Sequence, residues 1–182
     1  MKNKIYFLTL ILFLASVTSS ILAMDIKTEQ IAKIPTEISS SIIGMRVEKD
    51  LAFVMSSEGK YATINLKSGE TSISSIKASN VLDFDIVVGK IIYIDNRGMI
   101  GGHVFPKWSK GPYNNACYIA ACDQGVVLSG GNSAYFLSKN ATSSVELPGF
   151  YYALPVNNGF IWSMSIGKDK HWEHTVYYMY IY

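Results

Sequence analysis

The chain has 182 residues, of which 49% are hydrophobic, and its 16 Lys and Arg stand against 14 Asp and Glu. It has no basic run or face of the kind a nucleic-acid partner needs, which argues against such a partner. Its two cysteines, in CYIAAC, do not have the spacing of a zinc or redox motif.

The first element is MKNKIYFLTLILFLASVTSSILA. Lys2 and Lys4 supply a positive start, residues 5–15 are apolar, and Ser16, Thr18, Ser19 and Ser20 lead to Ala23. That order is the order of a signal peptide. The apolar run falls short of the roughly 20 residues that span a bilayer. Cleavage is expected after Ala23. Ile21 is large for its position, so cleavage after Ser20 and an uncleaved anchor stay open. The expected organisation is a leader at 1–23 and a single domain at 24–182, secreted or periplasmic. No second long apolar stretch follows, so no membrane span is expected once the leader is gone. Losing Lys2 and Lys4 leaves 14 basic residues against 14 acidic ones, a near-neutral mature chain.

After the leader, helix signals are nearly absent. Apolar residues alternate or run in short stretches rich in Val, Ile, Tyr and Phe, punctuated by Gly, Asn, Asp and Ser. DLAFVM (50–55), the turn SSEG, KYATINL (60–66), the turn KSGE and TSISSIK (71–77) read as three strands. KIIYI (90–94), DNRG and MIGGHVF (99–105) repeat the pattern. So do GVVLS (125–129), GGN, SAYFL (133–137), SKNA and TSSVEL (142–147). GFIWSM (159–164), the polar excursion SIGKDKHWEH and TVYYMYIY (175–182) form the last unit. Further apolar strands precede each unit: SIIGMRV (41–47), LDFDIV (82–87), NACYIAA (115–121) and FYYALPV (150–156). Leu51, Lys90, Gly125 and Gly159, which open the second strands, are 39, 35 and 34 residues apart.

This cadence, clearest in LAFVMSSEGKYATINLKSGE (51–70), resembles the β-propeller repeat superfamily, with pyrroloquinoline-quinone-enzyme-like and WD40-like blades. The resemblance covers roughly residues 28–182. It implies an all-β fold, a small β-propeller of about four blades. The near-constant period favours it over a β-sandwich or meander. The Trp-Asp dipeptide of WD40 repeats is missing, and the quinone enzymes' catalytic and calcium-binding residues have no counterpart, so the resemblance brings no site and no cofactor. The segment KTEQIAKIPTEIS (27–39) has the shape of the fourth strands elsewhere. The ring is therefore expected to close by pairing Ile31–Ile38 with Thr175–Tyr182, which removes an open sheet edge. Half of an eight-bladed ring is the competing reading.

Candidate binding residues cluster in two polar segments. Residues 106–115 contain Trp108 and Tyr113, and residues 165–174 contain His171, Trp172 and His174; Trp162 lies on the adjoining strand. Positions i and i+3 point to opposite faces near a strand end, so His171 and His174 do not make a metal site. Even with His103 the histidines fall short of a full ligand set, and no metal is expected. Tyr178, Tyr180 and Tyr182 share one strand face and read as packing between blades. Asp83 and Asp85 alternate with Leu82, Phe84 and Ile86. They read as a solvated strand face, or as channel-facing if the first strands line a channel. Cys117 and Cys122 lie too far apart along a strand to bridge and read as buried free thiols, unless a tight turn pairs them. Asn140-Ala141-Thr142 is a glycosylation sequon that matters only in a eukaryotic source. No Ser sits in a G-x-S-x-G elbow and no carboxylate pair stands out. The expected function is an exported, non-catalytic module that binds a protein or small ligand. The alternatives are a small enzyme with its site at the channel mouth, and an inhibitor or immunity-type partner of another exported protein.

Overall fold

The computed structural model describes residues 28–103, 108–130, 133–140, 145–148, 150–156, 159–168 and 171–180. The chain divides into Met1–Gln30 and Ile31–Tyr182. All the elements below belong to the second unit, and the expected leader lies outside the described residues.

A helical turn, α1 (Thr36–Ser39), precedes the strands β1 (Ile42–Glu48), β2 (Leu51–Ser56), β3 (Lys60–Asn65) and β4 (Thr71–Ser75) of sheet 1. Sheet 2 contains β5 (Val81–Val87), β6 (Lys90–Asp95) and β7 (Ile100–Gly102). Sheet 3 contains β8 (Tyr118–Cys122), β9 (Gly125–Gly130), β10 (Ser133–Ser138) and β11 (Val145–Pro148). Sheet 4 contains β12 (Phe150–Val156), β13 (Gly159–Lys168) and β14 (His171–Tyr180). Every sheet is an antiparallel meander in chain order.

The same two devices shape all four sheets. The first and second strands meet across two-residue turns, closed by the pairs Glu48↔Leu51, Val87↔Lys90, Cys122↔Gly125 and Val156↔Gly159. Such short turns need positive φ to match strand twist, and Lys49, Val88 and Gly89 have φ of 56, 51 and 70°. Each first strand also carries an extra residue near its start. The register shifts between Ile42 and Gly44, Val81 and Asp83, and Phe150 and Tyr152. In sheet 3 the Cys117 amide bonds to the Ser129 carbonyl while Tyr118 pairs with the same residue. Bulges of this kind bend a strand and increase its twist. After the bulge, five residues run to each turn: 44–48, 83–87, 118–122 and 152–156.

Those aligned positions explain how the sheets stack. Phe84 and Ile86 of β5 pack on Phe53 and Met55 of sheet 1. Ile119 and Ala121 of β8 pack on Val87, Ile92 and Ile94 of sheet 2. Ala153 of β12 packs with Phe160 on Ala120, Val127 and Ala134 of sheet 3. The second and fourth residues after the bulge thus face the preceding sheet, and alternation turns the first and third toward the next one.

The N-terminal segment departs from expectation. Residues 28–35 contain no strand, 36–39 form α1, and β14 pairs with β13 alone among the described residues. The expected pairing of Ile31–Ile38 with the last strand is not made. Pro35 supplies no amide to a ladder, and its carbonyl instead accepts the Ile38 amide at 3.2 Å. Ile38 becomes fully buried against Ala52, Val54, Ala62 and Ile64 of sheet 1, more burial than an edge strand offers. The third strand of sheet 2 is also shorter than expected, three residues in place of 99–105, because Gly102 turns away at φ 80°.

Candidate functional site

The first strands of all four sheets border a cavity of about 340 Å³, lined by Arg46, Glu48, Asp85, Ala121 and Leu154 among others. Its charged wall begins with the alternation of β5. Phe84 and Ile86 are drawn into the core with sheet 1, so Asp83 and Asp85 project toward sheet 3. Both are more than nine-tenths buried. Asp83 Oδ2 accepts the Ile119 amide at 3.0 Å and Asp85 Oδ2 accepts the Ala121 amide at 2.7 Å. Asp85 Oδ1 also accepts the Ile86 amide at 2.8 Å. These are edge N–H groups of β8 and β5, which face away from their own ladders and would otherwise be buried without acceptors.

Arg46 of β1 completes the set. One guanidinium nitrogen lies 2.7 Å from Asp83 Oδ1, Nε lies 3.9 Å from Asp85 Oδ1, and the guanidinium sits 5.3 Å from the centroid of the Phe84 ring. Burial raises both carboxyl pKa values, against the lowering effect of the backbone amides and Arg46. On sheet 1 the Glu48 carboxylate accepts the Gly89 amide at 2.6 Å and ties β1 to the β5–β6 turn. The cluster links three sheets. Among the described residues no buried side-chain nitrogen or oxygen lacks a hydrogen bond. A carboxylate pair whose oxygens are occupied by amides and a guanidinium is a structural joint, not an acid and base waiting for substrate.

Trp108 and Tyr113 lie in the core between sheets 2 and 3. Trp108 Nε1 donates to the Ser138 carbonyl at 2.7 Å, Tyr113 Oη donates to the Ser109 carbonyl at 2.8 Å, and the Tyr113 ring leans on Tyr135 at 5.2 Å. Neither is an accessible loop residue. The excursion 165–174 is not a loop either. The β13–β14 ladder runs on through Ser165↔His174 and Gly167↔Trp172 to Lys168↔His171. The side chains of Trp162, His171, Trp172 and His174 lie outside the described part of the structure, as do those of Tyr178, Tyr180 and Tyr182. Asp83 and Asp85 are not a solvated face. Cys117 and Cys122 are both free and half-buried, not fully buried, and burial raises the pKa of each thiol.

An accessible feature borders the same cavity. The second and fourth positions of β5 and β8 are nearly inaccessible, with Phe84 at 0% and Ala121 at 3%. Their equivalents in β1, Met45 and Val47, are 58% and 57% exposed. At the other end of the series, Leu154 of β12 is 52% exposed. Its equivalents, Asp85 and Ala120, are buried by the sheets that follow them. Val47 and Leu154 both line the cavity. The described residues therefore leave an apolar gap between sheets 4 and 1, at positions that are buried in β5 and β8. Sequence reading missed this gap because Met45 and Val47 have the same alternation as their buried counterparts.

A scan against protein families finds no match, and no curated protein is similar in sequence. Solved structures do match. The computationally designed Ika4 protein aligns with a TM-score of 0.51 at 11% identity, over 85% of this chain and 99% of that one. BamB from Moraxella catarrhalis gives 0.51 at 16% identity, over 77% of this chain and 49% of that one. The Pan2 WD40 domain of Neurospora crassa gives 0.51 at 10% identity, over 75% and 49%. The chain thus spans nearly all of Ika4 but about half of BamB and of the Pan2 domain. Together with the four meanders, these likenesses make the fold of this chain a β-propeller.

Proposed function

We propose that this chain is an exported, non-catalytic binding module, and that it holds an apolar element of a partner protein in the gap between its fourth and first sheets. One observation carries the reading. Met45, Val47 and Leu154 are exposed at positions that are buried in both β5 and β8, and uncovered apolar surface marks interaction sites. The charged groups beside them are already committed to one another. Export is supported by the composition of residues 1–23.

Two measurements test this. The intact mass of the exported protein is expected to lack the first 20–23 residues; a mass that retains Met1 overturns the export reading. A photo-crosslinking residue placed at 47 or at 154 in the exporting host is expected to give the same discrete adduct. The same residue at Ile73, exposed on β4, is expected to give none. Equal adducts from all three positions, or none from 47 and 154, overturn the docking reading.

A further inference from the structure

A larger cavity, about 570 Å³, lies between sheets 1 and 2, away from the gap. Its origin is local. After Ile100, β7 presents only Gly101 and Gly102, so no side chain from that strand fills the space in front of β3. At Gly101 a Cβ would collide with the Tyr93 side chain, and at Gly102 one would collide with the Ile91 carbonyl. At Gly102 the positive φ of 80° and the Ile91 carbonyl together forbid a larger residue, which keeps that side of the space open. The apolar part of its wall includes Leu51, Phe53, Ile76 and Ile91.

The polar part is unusual for a joint between sheets. Tyr61, Thr63, Lys90 and His103 line the cavity. Among the described residues, the hydroxyls of Tyr61 and Thr63 and the ammonium of Lys90 have no hydrogen-bond or ion-pair partner. None of the lining residues is acidic. An apolar wall with a few polar donors and a volume of several hundred Å³ is the usual make-up of a small-molecule site.

From this we infer a second binding site, specific for a small amphiphile with an aliphatic body and a single carboxylate. The aliphatic part lies on Leu51, Phe53, Ile76 and Ile91, and the carboxylate accepts from Lys90 with Tyr61 and Thr63 beside it. A neutral or cationic head would leave Lys90 unpaired or repel it. A charge-assisted hydrogen bond is about twice as strong as a neutral one, so charge decides among amphiphiles of equal length.

Calorimetric titration with decanoate, decanol and decyltrimethylammonium tests the site. Decanoate is expected to bind saturably at one molecule per chain, at least roughly ten-fold tighter than the other two. Lys90→Gln is expected to remove that preference, whereas Lys67→Gln, an exposed lysine paired with Asp50 elsewhere on sheet 1, leaves it intact. Thr63→Trp, at a half-buried strand position where an aromatic residue suits the pleated surface, is expected to fill the cavity and abolish binding. The melting temperature of each variant is measured alongside to separate loss of the site from loss of the fold. Equal affinity for the three amphiphiles, detergent-like binding of many molecules per chain, or an unchanged decanoate preference in Lys90→Gln overturns the assignment.

Discussion

Replacing Asp85 by Ala is the sharpest test of the joint between sheets 2 and 3. The substitution strands two buried amides, those of Ala121 and Ile86, which now donate at 2.7 and 2.8 Å. Leaving a buried donor unsatisfied costs about 1–3 kcal/mol. Burial has raised the Asp85 pKa, so removing the carboxylate also recovers part of its desolvation penalty. The net loss is expected near the lower end of the two-donor sum, about 2–4 kcal/mol. For a domain of this size each kcal/mol shifts the melting temperature by about 2–4 °C, a drop of roughly 5–15 °C. Asp85→Asn keeps one acceptor oxygen but sets an NH2 against the other amide, so its loss is expected to be intermediate. Urea unfolding followed by circular dichroism gives the global value. Hydrogen exchange at the Ala121 amide is expected to accelerate beyond that global change, because the β8 edge loses its acceptor directly. Asp123→Ala, in the exposed β8–β9 turn, serves as the control. An Asp85→Ala variant within about 0.5 kcal/mol of the parent, the usual range for neutral surface changes, would show that the amides find water and that the carboxylate is not a joint.

Three further outcomes are expected. The pH dependence splits by sign: Asp83 and Asp85 have raised folded pKa values, so their contribution to stability is fully present below the unfolded value of 3.8 and is lost as pH rises through the raised values. Asp95 runs the other way. Burial pushes its pKa up, but the bonds from Arg97 and from the Met99 and Arg97 amides outweigh this and lower it, so its contribution is present above 3.8 and is lost as pH falls through its lowered value. Urea unfolding across pH 3–7, compared with Asp83→Asn/Asp85→Asn and with Asp95→Asn, separates the two signs; a double variant that leaves the profile unchanged refutes the first. Ile38→Ala removes the side chain that packs on Ala52, Val54, Ala62 and Ile64 of sheet 1 and is expected to cost about 2–5 kcal/mol, whereas loss below about 1 kcal/mol would mean that α1 is not seated there. Unfolded protein is expected to react with a thiol reagent at both Cys117 and Cys122 without reductant. The native thiols, with pKa values raised by burial, are expected to react more slowly than an exposed cysteine; labelling only after reduction would reveal a disulfide.

Short-range pattern was enough to find the strands. Period-two alternation and the turn residues between the runs placed β2, β3, β5, β6, β9 and β10 close to their observed ranges, because pleat and turn conformation are local properties of the backbone. The ladder of β13 and β14 outran the sequence reading. Polar residues at 165–174 suggested a loop, yet polarity does not prevent a hairpin from continuing its hydrogen bonds.

Everything that depends on which strand arrives beside which was decided in three dimensions. The alternation around Asp83 and Asp85 was visible in the sequence. Whether those carboxylates met water or protein depended on β8 amides 36 residues further along the chain. The aliphatic pattern of 31–38 suits a strand or a packed turn equally well, and the uncovered face of sheet 1 selected the turn by giving Ile38 complete burial. Trp108 and Tyr113 looked like recognition aromatics and became core, since sheets 2 and 3 close over them. Met45 and Val47 follow the same alternation as Phe84 and Ile86 and differ only in having no sheet before them among the described residues. The sequence by itself determined strands, turns and their repeat; the tertiary structure alone decided burial, because burial belongs to the neighbour that covers a side chain and not to the side chain itself.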